Sequence, residues 1–351
     1  MKLGKERLAI WGGFLVSLVC LYFVFESVPI RDLLDEIQRI QWVWVLPTLV
    51  LLYLGIFFRG ARWWWLLGEE KKRTSSRVLL EGVFVGYAFN NILPSGRMGE
   101  IARALYVSKK TSIPVSVVFG TIVNDRVFDS LTVLILVGVT AFWVLPFDSD
   151  LLVEFGGFEL SASILNPLFV NVAVGSLGVV VLVLLLMIPK VAILVEGILG
   201  RLPLIPSTLK ERLTGFVSGV FQGLSEIKDR RSLSRVTYYT GLTWGLNGFA
   251  AFALAWAIPG LHLTVVQSIG LMAIVTVCAA IPAAPGYWGL YEAGMIVGFQ
   301  VLEIHEDQAV ALAYGVTMHL IYYVPTTVVG LIWAFRSAIR IGSNDVFIKK
   351  V

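Results

Sequence analysis

The sequence is poor in charge and in cysteine, and it has no polar stretch long enough to fold as a separate soluble domain. Only 15% of its 351 residues are charged, 57% are hydrophobic, and there are two cysteines. Mean hydropathy is +0.81. A soluble domain of this size needs a more polar surface, so a soluble fold is excluded. Apolar runs long enough to span a bilayer recur along the whole chain. The sequence therefore predicts an all-α polytopic membrane protein with a single transmembrane domain over residues 1–351.

Several motifs that would identify an enzyme are also absent. The sequence has no Gly-x-x-x-x-Gly-Lys-Ser/Thr, no Gly-x-Ser-x-Gly and no His-Glu-x-x-His. Cys20 and Cys278 lie in separate apolar runs, which fits neither a metal site nor a disulfide framework. His262, His305 and His319 are predicted to lie at membrane ends, without metal-binding spacing. We therefore expect no cofactor, no metal and no ATP-driven step. The net charge of +4 arises in short loops beside spans, so it indicates anionic lipid and not nucleic acid.

The distribution of charged residues predicts on which side of the membrane each apolar segment begins and ends. The basic stretch 190–235 is predicted to be cytoplasmic, and the acidic stretch 148–165, which lacks lysine and arginine, is predicted to lie outside. The basic start of the chain resembles a signal peptide, but no small-x-small cleavage pattern follows, so the first span is predicted to remain as an anchor. Both termini are then cytoplasmic. The expected segments are a peripheral span at 8–26, an amphipathic surface helix at 29–41, spans at 42–67, 113–145, 236–257 and 308–335, a connecting span at 166–188, and a cytoplasmic amphipathic segment at 190–235.

Two further segments begin and end on the same side of the membrane. Segment 78–108 starts and finishes in the cytoplasm, which predicts a re-entrant helical hairpin. Segment 264–302 starts and finishes outside. It is either a second re-entrant hairpin or a pair of short full spans, because each arm is marginal for a bilayer core of about 30 Å. With the hairpin, residues 42–145 and 236–335 form two repeats of inverted topology, an architecture suited to alternating access.

Helix-breaking residues at matching places mark the tips of the two hairpins. Asn90–Arg103 and Ile281–Glu292 each carry Gly-x-x-Gly after a proline, followed by a glutamate. Breakers and charge at membrane depth are costly unless they line a cavity, so we interpret these stretches as two halves of one membrane site. The alternative is a pair of interfacial loops with ordinary helix caps. The predicted tip residues are Asn90, Pro94, Gly96, Gly99, Pro282, Pro285, Gly286 and Gly289.

Ionisable residues inside the predicted spans are the candidate binding residues. Two aspartates, four apart in span 113–145, share a helix face, and three charges of the first hairpin form one stripe. A guanidinium binds phosphate with a bidentate fork, and a carboxylate can receive an ammonium or a proton. The alternative is a structural ion pair between the aspartates and Arg97 or Arg103. Arg59 and Arg62, beside three tryptophans, are predicted interface anchors, although Arg62 is also a candidate for a lipid phosphate. The candidate substrate-binding residues are Arg62, Arg97, Glu100, Arg103, Asp125, Arg126, Asp129 and Glu292.

Four blocks of the sequence together resemble one known family. Phe58–Trp63, Asn90–Arg103, Asn124–Asp129 and Pro282–Glu292 are similar to the lysylphosphatidylglycerol synthase transmembrane family, also called flippase-like proteins. The resemblance covers nearly the whole chain and implies a multi-pass protein of the cytoplasmic (inner) membrane of a prokaryote. Bifunctional relatives carry a soluble domain that attaches lysine to phosphatidylglycerol. That domain is absent from the sequence, so a stand-alone member is expected.

The resemblance and the intramembrane charges lead to one expected function. We expect a lipid flippase or transporter, and not an enzyme, that moves a phospholipid or aminoacyl-phospholipid between leaflets through a polar groove between the hairpins. One alternative is an intramembrane enzyme acting on a lipid phosphate or glycosyl carrier. Another is a membrane partner protein without turnover. The expected partners are membrane lipids, and a homo-oligomer or a separate lipid-modifying enzyme is also open.

Overall fold

The computed structural model describes residues 2–93, 98–143, 152–161, 230–279, 281, 284–304 and 307–337, with scattered positions between 163 and 222. Four predicted site and tip residues, Pro94, Gly96, Arg97 and Pro282, lie outside the described residues. Most of the predicted connecting span 166–188 and of the segment 190–235 also lies outside them.

Helices dominate the described part of the chain, as the hydropathy pattern predicts. Three short 3₁₀ turns, Trp42–Trp44, Gly68–Arg73 and Pro285–Tyr287, accompany them. The α-helices are α1 Lys2–Ser27, α2 Ile30–Arg39, α3 Val45–Leu66, α4 Ser76–Ile92, α5 Met98–Lys110, α6 Val115–Trp143, α7 Arg230–Ala255, α8 Val265–Cys278, α9 Leu290–Val301 and α10 Gln308–Arg336.

Two helical segments are long and apolar enough to cross a membrane by length and composition. Within the described ranges they are Trp42–Leu66 and Gln308–Arg336. The part of α1 from Trp11 onward and the helix α2 form a further apolar pair, bent by 78°. These segments agree with an α-helical integral membrane protein.

The bend between α1 and α2 leaves α2 lying against the bundle as a separate amphipathic helix. Pro29 precedes α2 and cannot continue the hydrogen-bonded ladder of α1. Leu33 is buried, Asp32 and Asp35 are exposed, and α2 contacts α10. The predicted amphipathic helix at 29–41 is therefore confirmed.

Helices α4 and α5 pack against each other as an antiparallel pair. Near the start of α4, Glu81 Oε2 accepts hydrogen bonds of 2.7 Å from Tyr106 and from Lys110, both near the end of α5. Closer to the turn, a Cβ placed on Gly99 would lie 2.0 Å from the Gly86 carbonyl oxygen. Only glycine permits this backbone approach. The start of α4 and the end of α5 therefore lie at the same end of the bundle.

Helices α8 and α9 form a second antiparallel pair. Gln267 Nε2, in the first turn of α8, donates a hydrogen bond of 3.2 Å to the carbonyl of Leu302, just after α9. Farther along, Gly294 packs against the side chain of Cys278. The helices have 14 and 12 residues. At 1.5 Å per residue each extends roughly 20 Å, which is short of a bilayer core of about 30 Å.

Basic and aromatic side chains gather at one end of the bundle. The charged groups of Arg77 and Lys110 each lie 5.6 Å from the ring of Trp333, near the end of α10. The guanidinium of Arg235, near the start of α7, lies 5.9 Å from the ring of Trp65. These contacts place the end of α3, the start of α4, the end of α5, the start of α7 and the end of α10 together. Such clustering is typical of a cytoplasmic membrane face.

A two-stranded antiparallel hairpin lies at the opposite end, and the all-α prediction did not include it. Strands β1 Leu152–Phe155 and β2 Phe158–Ser161 pair with Leu152 opposite Ser161. The backbone N–H of Gly156 donates to Ser27 Oγ at the end of α1, at 2.7 Å. The side chain of Gln300, in α9, donates to the carbonyl of Glu154 at 2.7 Å. Strand pairing thus satisfies backbone groups of residues 152–161, the described part of the predicted acidic loop.

The two halves pack on each other through reciprocal contacts. Helix α3 packs on α7, α4 packs on α10, and α6 packs on α8. The approach of α4 to α10 is close, since a Cβ on Gly330 would lie 2.1 Å from the Phe84 carbonyl oxygen. One hydrophobic core lies among α3 to α6, and a larger one joins α7 to α10 with α1 and α2. The charged residues described next lie on α3, α5 and α6.

Candidate functional site

Two arginines of α3 meet two aspartates of α6 in the interior of the bundle. Arg59 and Arg62 are three residues apart and Asp125 and Asp129 are four apart, so each pair shares a helix face. Arg62 Nη2 lies 2.5 Å from Asp125 Oδ1 and 2.9 Å from Asp129 Oδ1. Its Nη1 lies 3.3 Å from the hydroxyl of Thr240, in α7. Arg59 forms ion pairs with the same two carboxylates. The side chains of Arg62 and Asp125 are fully buried.

Helix α5 adds a further arginine and a carboxylate to these four residues, and we call the whole group, together with Arg126, the charge cluster. Arg103 Nη2 lies 3.2 Å from Asp125 Oδ2. Glu100 Oε1 lies 2.9 Å from Arg126 Nη2, and Arg126 Nη1 lies 3.2 Å from Asp129 Oδ2. Within the described residues, the cluster holds four guanidinium groups and three carboxylates. It therefore carries one excess positive charge when all of these groups are ionised.

A small, partly open pocket lies beside the charge cluster between α3, α4, α5 and α6. Asn90 shapes its wall by accepting a hydrogen bond of 2.8 Å from the backbone N–H of Gly99. The two aspartates do not line it, so three arginines and one glutamate form its charged wall. The lining residues are Arg59, Val83, Gly86, Tyr87, Asn90, Gly99, Glu100, Arg103 and Arg126.

Four polar atoms of the charge cluster are buried without a hydrogen-bond partner among the described residues. They are the Nε atoms of Arg62, Arg103 and Arg126, and Oε2 of Glu100. A buried polar group without a partner costs about 1–3 kcal/mol. Three of the four residues also line the pocket. A ligand in the pocket that accepts hydrogen bonds from guanidinium groups and donates one to a carboxylate would offer partners to these three residues.

A second buried pair lies in the other half of the bundle. Glu292, in α9, and His319, in α10, are 2% and 5% exposed. His319 Nδ1 lies 2.6 Å from Glu292 Oε1, and Nε2 lies 2.9 Å from the carbonyl oxygen of Gly286. Glu292 Oε2 accepts a hydrogen bond of 2.7 Å from the backbone N–H of Gly289. In the described part of the chain, Glu292 forms no ion pair with the arginines of the charge cluster.

The turn before α9 and the end of α4 meet on the same face of α10. The Tyr323 hydroxyl donates to the carbonyl of Asn91, at the end of α4, at 3.2 Å, and Asn91 Nδ2 donates to Thr327 Oγ1 at 2.8 Å. On the other side, Gly286 has a φ of +72°, and a Cβ there would lie 2.4 Å from the Tyr323 ring. Glycine permits both the positive φ and the close approach to the ring, because it has no Cβ. The described parts of the two predicted tip regions, at the end of α4 and before α9, are therefore neighbours.

The structure brings six of the eight predicted binding residues into the charge cluster. The predicted ion pair between Arg103 and the aspartates of α6 is present. Glu292 lies apart from the cluster, and Arg97 lies outside the described residues. The six residues are Arg62, Glu100, Arg103, Asp125, Arg126 and Asp129.

Two sequence-based interpretations are wrong. Arg59 and Arg62 are not interface anchors, because both are paired with aspartates inside the bundle. Arg62 also does not line the pocket, whereas Arg59 does. Arg59 could have been identified from its spacing from Arg62, because two arginines on one helix face can pair with two aspartates on a face of a neighbouring helix. His319 does not lie at a membrane end: it is buried, eleven residues after Gln308, the first residue of α10.

Comparison with known proteins gives a family match over most of the chain. The family described as the lysylphosphatidylglycerol synthase TM region matches residues 10–330. A UPF0104 membrane protein of Pyrococcus horikoshii is 23% identical over 343 residues, covering 93% of this chain and 96% of the relative. The glycosyltransferase AglD of Haloferax volcanii is 24% identical over 341 residues, covering 93% of this chain and 54% of that protein. This chain thus spans little more than half the length of AglD. No solved structure matches the chain.

Proposed function

The chain belongs to the lysylphosphatidylglycerol synthase transmembrane family, and we propose that it is a flippase that moves a charged-headgroup lipid between the leaflets of a prokaryotic inner membrane. The headgroup passes through the pocket beside the charge cluster, and the acyl chains remain in the lipid. The protein performs no covalent chemistry in this proposal.

The charge cluster and its pocket are the observation that carries the proposal. Ionised side chains at membrane depth are costly, so they are tolerated where they pair with one another or line a polar cavity. Here they do both, since Arg62 and Asp125 are enclosed while Arg126 and Glu100 face the pocket. The excess positive charge favours an anionic headgroup, and the guanidinium groups suit a phosphate.

The pocket also carries an acceptor for a cationic group. Glu100 Oε2 is buried without a hydrogen-bond partner among the described residues, while the Glu100 side chain as a whole is 20% exposed. A phosphate beside Arg126 and Arg103 would place an attached ammonium within reach of this oxygen. A phospholipid headgroup with an added amine, as in an aminoacyl-phospholipid, would satisfy both sets of atoms.

We further propose that α4–α5 and α8–α9 are re-entrant hairpins within an inverted repeat. Each half runs in the same order: a long helix, two short antiparallel helices, and a helix of 29 residues. The contacts of α4 with α10 and of α6 with α8 are equivalent if the halves are exchanged. The start of α4 and the end of α5 lie at the basic end of the bundle, and the end of α9 lies at the end with the β-hairpin. Such an arrangement suits alternating access from the two membrane faces, with both termini in the cytoplasm.

Leaflet exchange in sealed proteoliposomes tests the flippase proposal. Labelled phosphatidylglycerol and lysyl-phosphatidylglycerol would be compared for the wild type, Arg126→Gln and Glu100→Gln. Arg126→Gln should slow both lipids by roughly 10-fold or more, because it removes a charge-assisted hydrogen bond worth about 1.5–3 kcal/mol. Glu100→Gln should slow only the lysyl lipid. The exposed residues Arg31 and Glu26 offer matched controls, since Arg31→Gln and Glu26→Gln should exchange lipid as the wild type does.

The proposal fails on either of two results. One is exchange no faster than in protein-free vesicles for both lipids, with and without a pH gradient. The other is exchange in Arg126→Gln that equals the exchange in its Arg31→Gln control. Selective loss of the lysyl lipid in Glu100→Gln would identify the amine as part of the recognised headgroup.

An enzyme acting on a lipid phosphate or glycosyl carrier is the second candidate, because one relative is named a glycosyltransferase. The match covers 54% of that relative, so its activity is not carried over by the alignment alone. Conversion of a polyprenyl phosphate or of its glycosyl derivative by detergent-solubilised protein would favour this candidate. A flippase needs two leaflets and yields no new product in detergent.

Partners follow from the same proposal. Membrane lipids are the direct ligands, and a separate lipid-modifying enzyme would supply the aminoacyl lipid. A homo-oligomer is also compatible with the exposed apolar faces of the helices, as for Phe57 and Phe335. Cross-linking in native membranes, followed by mass spectrometry, would separate these two kinds of partner.

A further inference from the structure

The buried contact between Glu292 and His319 needs a proton. Nε2 of His319 faces the carbonyl oxygen of Gly286, which can only accept a hydrogen bond, so this nitrogen carries a hydrogen. Nδ1 faces Glu292 Oε1 at 2.6 Å, and at that distance one proton must lie between them. If it is lost, the neutral imidazole has a single N–H for two acceptors, so either the contact with Glu292 or the contact with Gly286 loses its hydrogen bond.

The surroundings favour a charged imidazole when the proton resides on it. The rings of Trp288 and Tyr291 lie 4.4 and 4.5 Å from the imidazole centroid, with interplanar angles of 33° and 28°. Aromatic faces attract a cation at such distances. The ring of Tyr323 lies edge-on at 5.7 Å. The imidazolium and the Glu292 carboxylate then form an ion pair inside the bundle.

The other groups around the pair do not supply a competing charge in the described residues. From α1, Cys20 lies within electrostatic range of Glu292. From α9 the titratable neighbour is Tyr291, from α10 it is Tyr323, and from α4 the nearest polar group is the carbonyl of Asn91, bonded to Tyr323. None of these is a lysine or an arginine. The contact between Glu292 and His319 therefore depends on the proton that the two side chains share.

The first half of the bundle contains a related contact that needs no exchangeable proton. Glu100, on the second arm of the first hairpin, lies 2.9 Å from Arg126. Arg126 follows the first residue of α6 by eleven positions, as His319 follows the first residue of α10. In each half, a glutamate of the second short helix thus contacts a basic side chain eleven residues after the start of the following long helix. In one half the base is always charged, and in the other it can lose its proton.

We propose that Glu292 and His319 form a proton-binding site that holds the turn before α9 against α10. With the proton bound, the contact is closed. When the proton leaves, the imidazole can no longer donate to both Glu292 and Gly286, and residues 284–292 loosen from α10. Both hydrogen bonds of the imidazole are made with the proton bound, and one of them is lost when raising the pH removes it. This inference does not depend on lipid movement, although in a flippase such a site would couple that movement to a proton gradient.

Hydrogen–deuterium exchange tests the site in the full chain, reconstituted in nanodiscs of phosphatidylglycerol and phosphatidylethanolamine. The exchange of peptides covering 284–304 would be measured from pH 5 to pH 10 and corrected for the intrinsic chemical rate. The wild type should show a step in which exchange of 284–292 rises by roughly 10-fold or more with pH, as expected for loss of a charge-assisted hydrogen bond.

The variant Glu292→Gln separates proton binding from packing. A glutamine amide can donate to Nδ1 of a neutral imidazole, and its carbonyl can accept from the N–H of Gly289, so the contact survives without a titratable proton. The rise in exchange with pH should therefore disappear. Glu303, just after α9, is exposed, and Glu303→Gln should keep the wild-type step.

A second measurement uses the intact pair and so does not depend on the folding of Glu292→Gln. With His262 and His305 replaced by glutamine, ¹⁵N nuclear magnetic resonance of the remaining imidazole should show the loss of one of its two N–H protons at the pH of the exchange step. The proposal is overturned by a wild type without a step. It is equally overturned by a step that persists in Glu292→Gln, or by imidazole nitrogens that do not change across it. Absence of lipid exchange would leave these results unaffected, so the two proposals fail separately.

Discussion

Removing the charge of Asp125 should destabilise the bundle more than any surface charge change. Its carboxylate accepts from Arg62 at 2.5 Å and from Arg103 at 3.2 Å, and it lies 3.6 Å from Arg59. It is fully buried. In Asp125→Asn the described cluster would keep four guanidinium groups and only two carboxylates. Breaking a buried ion pair by removing one partner costs about 3–5 kcal/mol, since a charge remains buried without compensation.

A double-mutant cycle separates this electrostatic cost from a general packing defect. Arg103→Gln alone removes one guanidinium and leaves Asp125 with fewer partners. In Asp125→Asn/Arg103→Gln the excess charge returns to one. The loss of stability in the double variant should therefore be smaller than the sum of the two single losses, by about 1–3 kcal/mol.

Equilibrium unfolding in mixed detergent micelles gives the free energies for this cycle. Asp35→Asn is the matched control, because Asp35 is an exposed aspartate of the amphipathic helix α2. It should change the free energy of unfolding by less than about 0.5 kcal/mol. The reasoning is refuted if Asp125→Asn behaves as Asp35→Asn does. It is also refuted if the two single losses add to the double loss, because the residues would then be independent.

Two further predictions concern the first hairpin. In Gly99→Ala the new Cβ would lie 2.0 Å from the Gly86 carbonyl oxygen, so unfolding should become easier by about 1–3 kcal/mol. Gly138→Ala, with nothing within 4 Å of its added Cβ, should stabilise its helix by roughly 0.5–1 kcal/mol, and equal effects of the two substitutions would contradict the close approach. Asn91→Ala should lower the free energy of unfolding by about 1 kcal/mol for its lost hydrogen bond to Thr327, and faster hydrogen exchange at the end of α4 should accompany the loss. Unchanged exchange there would show that this hydrogen bond does not hold α4 to α10.

Much of the fold could be predicted because hydropathy and charge act over whole segments. The predicted spans 42–67 and 308–335 correspond closely to Trp42–Leu66 and Gln308–Arg336. The division of 78–108 into two helices followed from one proline and two glycines. The β-hairpin at 152–161 was not predicted, because its four-residue strands are too short for a periodic signal and depend on contacts with Ser27 and Gln300.

The candidate site could be predicted in part, because intramembrane charge is rare and each charge needs a partner. Asp125 and Asp129 were found on this basis, and one partner, Arg103, was among the alternatives considered. Arg59 was missed because tryptophans follow it, and that composition is typical of a membrane interface. His319 was missed because a single histidine in an apolar helix has no local signal. Its role depends on Glu292 and Gly286, which only the packing of α9 against α10 brings near it.

Exposure divides the charge cluster into an inner and an outer part. The side chains of Arg62 and Asp125 are 0% exposed, whereas those of Arg126 and Glu100 are 41% and 20% exposed. The inner pair cannot give up a partner during a transport cycle without leaving a charge buried and uncompensated. The outer pair can, because a bound phosphate and ammonium would replace the contacts that Arg126 and Glu100 make with each other. Substitutions of the inner pair should therefore lower the free energy of unfolding, and substitutions of the outer pair should slow lipid exchange with little change in stability. The reverse pattern would place the headgroup site away from this pocket.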